Sequence, residues 1–272
     1  MAIVKKLVRA IRGDVDIQPV PAAPYAEVEL FSWGPADGRR NFGDHLSKVI
    51  AYAVALENGL SFEDEVSRPQ RMLAIGSIAH FAKDDDVLWG TGVNGKIGFE
   101  NITASRLDVR AVRGPKTARV LQDRGISVPE IFGDPGLLVP RYFASRFPVT
   151  KTRPFIIVPN LHDLPLVSGR PETVSPLNGW NRVVREITSA EFVVSSSLHG
   201  IVIAEAFGIP ARYVRLSETE DRFKYDDYAL GTGRAELLPA LTIDQAFDMG
   251  PHDKIDFDAD ALVAAFPVDL WR

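Results

Sequence analysis

The chain has 272 residues, of which 46% are hydrophobic and 25% charged, so it is a globular polypeptide of one large or two small domains rather than a disordered, collagen-like or coiled-coil chain. Its formal charge of −5 argues against nucleic-acid binding through a broad basic surface. The absence of cysteine excludes a disulfide scaffold, a cysteine nucleophile and a thiolate metal centre, and it fits a reducing compartment.

The first 26 residues are predicted to form a separate N-terminal segment. Residues 1–13 alternate short apolar and basic stretches, which is typical of an amphipathic helix, and residues 14–26 read as a Pro-rich connector. Two interpretations of the helix stay open: a docking helix or frayed tail, and weak attachment to an anionic membrane surface. We expect neither a signal peptide nor a membrane-spanning helix, because no apolar run is long enough.

From residue 27 onward, apolar strands and amphipathic helices alternate. The predicted strands are Glu27–Trp33, Met72–Ile75, Val87–Trp89, Leu107–Val112, Phe155–Val158, Phe192–Ser195 and Arg212–Leu216. The predicted helices are Asp44–Glu57, one running from Pro115 to Gly125, Asn181–Ser189, His199–Phe207, Ile243–Met249 and Ala259–Phe266. This alternation predicts an α/β fold with parallel sheets, whose ligands bind at the carboxyl ends of the strands. The basic stretch 140–153 predicts a boundary between units 27–150 and 151–272.

The strongest local motif covers residues 193–200, where an apolar strand runs into three serines and then a helix. The hydroxyls of Ser195, Ser196 and Ser197 and the free N–H groups of the first helical turn favour an anion site. His199 lies in that turn, a suitable place for a general acid or base. The alternative is a capping run followed by a structural histidine.

Two arginines stand near the end of a predicted strand and before the start of a helix. Alternation places Asp108 and Arg110 on one face, and Arg113 at the carboxyl end of the strand. Guanidinium groups there can bind a carboxylate or phosphate through two hydrogen bonds, and the alternative is a surface ion pair.

Further polar residues follow other predicted strands. Asn41 and Asp44 join the first strand to the first helix, where Asp44 either caps the helix or binds sugar hydroxyls. His162 also follows a strand, and Lys224 lies in the stretch Phe223–Tyr228, whose mixture of aromatic and charged residues is common both in carbohydrate sites and in surface loops. The Gly133–Gly136 turn is predicted to be structural.

Two motifs are set aside. Residues 90–95 match the pattern of three glycines found in dinucleotide-binding sites, but no convincing helix follows and Asp108 is poorly suited to bind a ribose. Two interpretations stay open: a loop where a ligand comes close to the backbone, and a plain loop. The Asp84–Asp86 run has no further ligand at a suitable spacing and is predicted to be a solvated turn rather than a metal site.

Taken in order, the motifs resemble the polysaccharide pyruvyl transferase family. The matching segments are NFGD at 41–44, WGTGV at 89–93, VRAVRGPKTARVLQDRG at 109–125, GDPGLL at 133–138, SSSLHGIVIAEAFGIP at 195–210 and FKYDDY at 223–228. They span residues 27–228, and it is their order and spacing that make the resemblance specific.

The resemblance implies an enzyme that places the enolpyruvyl unit of phosphoenolpyruvate across two sugar hydroxyls as a pyruvate ketal and releases phosphate. It implies a GT-B-like α/β fold of two Rossmann-like lobes facing a cleft, with 27–150 on the acceptor side and 151–272, including the C-terminal helices, on the donor side. The acceptor would be a lipid-linked or polymeric glycan on the cytoplasmic face of a membrane, and neither a cofactor nor a metal is expected. A GT-B glycosyltransferase that uses a nucleotide sugar and a non-catalytic glycan-binding module are the alternatives.

For the site, the resemblance and the residue chemistry together predict His199 as the proton carrier. The predicted substrate-binding residues are Asn41, Asp44, Gly92, Arg110, Arg113, His162, Ser196, Ser197 and Lys224. Arg110 and Arg113 are expected to clamp the anionic donor, beside the anion site at Ser196–His199. Several family members have arginine where this chain has Ser197, so Lys224 or Arg113 is expected to supply the missing positive charge.

Overall fold

The computed structural model describes residues 24–35 and 38–272, which contain two parallel β-sheets covered by helices. The first sheet has the order β1-β2-β3-β4, with β1 Val28–Phe31, β2 Gln70–Leu73, β3 Val87–Thr91 and β4 Asp108–Val112. The second has the order β5-β6-β7, with β5 Ile156–Val158, β6 Val193–Ser195 and β7 Ala211–Tyr213. The predicted α/β class with parallel sheets is confirmed, and the GT-B-like arrangement stays a prediction.

Helices connect most of the strands, whereas the 3₁₀ turns Ala79–Phe81 and Phe99–Asn101 stand between β2 and β3 and between β3 and β4. The helices are α1 Phe42–Glu57, α2 Pro115–Gln122, α3 Val139–Phe143, α4 Leu164–Val167, α5 Trp180–Thr188, α6 Leu198–Ala206, α7 Phe223–Gly231, α8 Ile243–Met249 and α9 Ala259–Ala264. Among the described residues, no helix is long and apolar enough to cross a membrane. The helix predicted over 1–13 and most of the connector lie outside the described residues, so membrane attachment stays a prediction.

The longest helix, α1, forms where the sequence pattern predicts it, but it is capped by a different residue. Its buried face carries Leu46, Ile50 and Val54 at helical spacing. The side chain of Asn41, not that of Asp44, accepts the capping hydrogen bond, from the Gly43 N–H at 3.0 Å. This frees the Asp44 carboxylate, in the first turn, for another role.

One hydrophobic cluster contains buried residues from both sheets, so the two halves share a core. The C-terminal segment adds to this packing by returning to the first sheet. Trp89 of β3 is fully buried, donates its indole N–H to the Leu262 carbonyl at 2.9 Å, and contacts the Phe266 ring edge at 5.1 Å between centroids. The boundary predicted after residue 150 stays a prediction.

Two sequence interpretations change in the structure. The Phe223–Tyr228 stretch is not a surface loop: it begins α7, and Tyr225 and Tyr228 are buried. In the acidic run, Asp84 and Asp85 are exposed, but Asp86 is 4% exposed and accepts from the Arg71 guanidinium at 2.5 Å. The run is therefore solvated only in part, because its last residue faces inward at the start of β3.

Candidate active site

A cavity of about 310 Å³ lies where the carboxyl ends of the two sheets meet. Residues that follow β1, β2, β3, β5, β6 and β7 all line it, as expected for ligand sites of parallel sheets. Of the predicted site residues it collects Asn41, Asp44, His162, Ser197, His199 and Lys224.

A larger open groove, of about 1190 Å³, runs along the opposite, amino ends of the first sheet. Its lining includes Glu27, Gln70, Asp86 and Asp108, which stand at or just before the starts of β1 to β4, and it contains none of the predicted site residues. Its charged groups pair with each other, for example Arg106 with Asp85 at 2.9 Å. The smaller cavity is therefore the candidate active site.

His199 lies in the first turn of α6, with its ring held from two sides. A Cβ atom built on Gly43 would lie 2.1 Å from His199 Nδ1, so glycine at this position permits the close approach of α1 to the imidazole. The Phe42 ring meets the imidazole edge-on, 6.5 Å between centroids. The side chain keeps 13% exposure, towards the cavity.

Behind the imidazole lies a buried carboxylate that the sequence interpretation treated as purely structural. Asp134 is 1% exposed, and its Oδ1 accepts a hydrogen bond from the Gly136 N–H at 2.8 Å. This hydrogen bond stabilises the predicted Gly133–Gly136 turn. Oδ2 of Asp134 lies 3.6 Å from His199 Nε2, and both of these atoms lack a hydrogen-bond partner. The pair is placed to form one hydrogen bond after a small movement, which would orient the imidazole. The signal in the sequence was an acidic residue at the end of a strand-like segment.

Asp44 lines the same cavity from the first turn of α1. Burial raises the pKa of this carboxyl group to about 6, although the positive charges of His199 and Lys224 oppose the shift. The negative charge of Asp134 adds to the increase. A carboxyl group with this pKa can change its protonation state close to neutral pH.

On the other side of the cavity, two lysines share one buried carboxylate. Glu220, with its side chain 9% exposed, pairs with both Lys96 and Lys224, and His162 Nε2 lies 4.0 Å away. Burial raises the pKa of Glu220, but the two ammonium groups outweigh burial and hold it below its usual value. Two ammonium groups against one carboxylate leave this cluster positive. Lys96 and Glu220 were missed from the sequence, because they are 124 residues apart and stand in no motif.

The serines after β6 stabilise the corner between strand and helix, but they do not cap α6. Ser197 is the N-cap residue, and its side chain makes no capping hydrogen bond. Ser195 Oγ accepts instead from the Ser197 N–H at 3.1 Å, and Ser196 Oγ accepts from the Asn160 N–H at 3.1 Å. Ser197 lines the cavity, whereas Ser196 positions the neighbouring loop.

Arg113 does not line the cavity, because its guanidinium is buried and already bound. Nε donates to Asp227 Oδ2 at 3.0 Å, Nη1 to Ser77 Oγ at 2.6 Å and Nη2 to the Val93 carbonyl at 2.6 Å. Gly92 belongs to the same arrangement, since a Cβ there would lie 2.4 Å from Arg113 Cζ. Both residues support the wall of the cavity through Ser77.

Arg110 points away from the cavity, towards the C-terminal segment. Its guanidinium donates to Asp108 at 2.6 and 2.7 Å and to Asp269 at 2.8 and 2.7 Å, and both carboxylates line the amino-end groove. The structure therefore does not bring Arg110 and Arg113 together as a donor clamp beside His199. The lysine pair, which includes the predicted Lys224, supplies positive charge at the cavity instead.

Aromatic side chains lie at the cavity on the side of the first sheet. Trp33 follows β1 and Phe81 follows β2, and each is 37% exposed. In contrast, β3 is followed by the 3₁₀ turn Phe99–Asn101 rather than by the helix of a dinucleotide site. Within residues 24–35 and 38–272, no group of three or more His, Asp or Glu side chains is placed to hold a metal ion.

Comparison with known proteins agrees with the motifs. Residues 1–218 match the family model described as polysaccharide pyruvyl transferase. The chain is 28% identical over 159 residues to the succinoglycan biosynthesis protein ExoV of Rhizobium meliloti, which covers 53% of this chain and 47% of that protein. It is also 28% identical over 171 residues to the uncharacterized protein L143 of Acanthamoeba polyphaga mimivirus, covering 57% of each. The chain spans about half the length of these curated relatives. Because the family model covers most of the chain, the protein belongs to the polysaccharide pyruvyl transferase family.

Proposed function

We propose that this protein transfers the pyruvyl unit of phosphoenolpyruvate to two hydroxyls of a glycan, forming a pyruvate ketal and releasing phosphate. The observation that carries the proposal is the meeting of His199 with the positive cluster of Lys96 and Lys224 in one cavity. Family membership supports the same transfer. A lipid-linked or polymeric glycan at the cytoplasmic face of a membrane is the acceptor we expect.

The donor carries a phosphate and a carboxylate, so its site needs several positive or N–H donating groups. Lys96, Lys224 and His162 supply positive or titratable groups on one wall. The start of α6 adds partial positive charge, because the first N–H groups of a helix and its dipole attract anions. Binding there would place the enol carbon of the donor beside His199.

The reaction balances with the groups present in the cavity. One hydroxyl oxygen gives its proton to a base in the cavity and bonds to C2, as C3 gains a proton from His199. The C2–O bond to phosphate then breaks and phosphate takes the electron pair. The second hydroxyl oxygen closes the ketal, and its proton leaves with phosphate. His199 acts as the acid towards C3, and Asp134 holds the imidazole from behind.

The acceptor would lie on the side of the first sheet. Trp33 and Phe81 expose aromatic surface at the cavity, and the apolar faces of sugar rings pack on such surfaces. Asn41 and Asn94 add amide groups able to bind hydroxyls.

The test measures phosphate release from phosphoenolpyruvate against a panel of lipid-linked and polymeric glycans, with mass spectrometry of the glycan product. Acceptor-dependent phosphate together with a ketal-bearing glycan supports the proposal, and His199→Ala should abolish both. If nucleotide sugars but not phosphoenolpyruvate raise the Tm, the protein is a glycosyltransferase instead. Glycan binding that survives His199→Ala, without turnover by the wild type, would identify a binding module.

A further inference from the structure

We propose that Asp44 is a second catalytic residue of this site: it accepts the proton of the attacking acceptor hydroxyl while His199 donates a proton to the methylene carbon of the donor. The inference rests on the proposed function and assigns a separate group to each proton transfer.

The chemistry requires two groups in the first step. C3 of the donor gains a proton at the same stage at which an acceptor hydroxyl loses one as its oxygen bonds to C2. A single imidazole that is protonated to donate cannot at that moment accept the hydroxyl proton. The acid and the base of this step must therefore be two different groups.

The position of Asp44 fits the base. The carboxylate comes from the first turn of α1, which follows β1, and it lines the cavity together with the aromatic Trp33. It packs at the end of β2, where a Cβ built on Gly76 would lie 3.3 Å from Asp44 Oδ1. His199 lines the same cavity from the start of α6, after β6, and its imidazole packs against Gly43, the chain neighbour of Asp44.

The charged groups around Asp44 also favour this role. Burial, helped by the negative charge of Asp134, raises the pKa of Asp44 to about 6, against the opposing positive charges of His199 and Lys224. A base with such a pKa is ionised at neutral pH and still able to hold a proton during the reaction. The positive charge of Lys224 stabilises the ionised form that must accept the proton.

The neighbouring carboxylates are less suited. Asp134 is almost fully buried behind the imidazole and is absent from the cavity lining. Glu220 is engaged by two ammonium groups, which keep its pKa below the usual value and make it a weak base. Asp44 is thus the carboxylate that combines access to the cavity with a raised pKa.

The experiment compares Asp44→Asn and Asp44→Glu with wild type in the phosphate-release assay at pH 7.5, with each substrate varied at a saturating concentration of the other. We expect Asp44→Asn to lower kcat about 100-fold or more, with the KM for phosphoenolpyruvate changed less than about 3-fold. Asp44→Glu should recover part of the kcat, because it restores a carboxylate. The matched control is Asp244→Asn, an exposed acid in the first turn of α8, which should behave as wild type.

Several results would overturn the proposal. If the Asp44→Asn variant keeps more than about a tenth of the wild-type kcat, Asp44 is not required as a base. A loss confined to the KM of the acceptor would make Asp44 a binding residue only. A wild type that releases no phosphate from phosphoenolpyruvate, but responds to nucleotide sugars, overturns this proposal and the proposed function together. An active wild type with an equally active Asp44→Asn variant overturns only the role of Asp44.

Discussion

The buried carboxyl group of Asp44 makes the stability of the folded protein depend on pH. Its pKa rises from 3.8 to about 6 on folding, so between these values the folded state holds a proton that the unfolded state releases. Stability from this group is therefore highest below pH 3.8 and falls as the pH rises to about 6, above which the whole penalty is present. A shift of about two pKa units corresponds to roughly 3 kcal/mol, and partial solvent contact through the cavity reduces it to about 2 kcal/mol.

Replacement of Asp44 by asparagine removes this titration and tests the magnitude without any substrate. We expect the variant to match wild type near pH 4 and to be more stable by about 2 kcal/mol at pH 7.5. In a chain of this size, that difference corresponds to a Tm increase of about 4–8 °C. The measurement is urea unfolding, with thermal unfolding in parallel, across pH 4 to 8.

The comparison isolates Asp44, because every other titrating group is common to both proteins. The exposed Asp244→Asn control should show no pH-dependent difference from wild type. Since the His199 charge lowers the pKa of Asp44, a His199→Gln background should move the transition to higher pH. The reasoning is refuted if the stability difference between Asp44→Asn and wild type stays constant from pH 4 to 8, or if the variant is less stable at pH 7.5.

Three further substitutions test the surroundings of the imidazole and the wall of the cavity. Asp134→Asn should lower kcat at least about 10-fold while the KM for phosphoenolpyruvate stays nearly constant, because it weakens the group that orients His199; a large KM effect would contradict this. Gly43→Ala should displace the imidazole and lower kcat, whereas Gly169→Ala, whose new Cβ meets no atom within 4 Å, should have no effect; steady-state kinetics checks both. Arg113→Gln should lower the free energy of unfolding by about 3–5 kcal/mol, measured by urea unfolding, because it leaves the buried Asp227 carboxylate without its guanidinium partner. Unchanged stability would show that this ion pair is unimportant.

Local sequence patterns predict much of this fold, because strand and helix periods are properties of neighbouring residues. The pattern at Asp44–Glu57 places α1 within two residues of its observed start at Phe42. The strand-to-helix change at 193–200 places His199 in the first turn of α6. In a parallel sheet the carboxyl ends of strands share one edge, so strand-end residues such as Asn41 and His162 can also be placed near each other.

Charge pairing over long sequence separations could not be predicted in this way. From the sequence, Arg113 is predicted to be a free guanidinium at the end of a strand. In the folded protein it binds Asp227, which is 114 residues away in the chain. Conversely, Lys96 lies in a loop without a recognisable motif, and only the tertiary structure shows that it pairs with Glu220. Whether a strand-end cation binds a ligand or stabilises the wall is decided by which carboxylate the tertiary structure places beside it.

The pairing of Glu220 with Lys96 and Lys224 also determines the positive charge on one side of the cavity. Burial lowers the pKa of Lys224 below its ordinary value, and the buried Glu220 carboxylate opposes part of that shift. The same carboxylate fixes Lys96, from the loop after β3, so one acid joins cations contributed by both sheets. Under the proposed function, a donor anion meets lysine side chains that are already positioned, so little reorganisation is required when it binds. Because one lysine follows the first sheet in the chain and the other follows the second, neither half alone could form the proposed donor site.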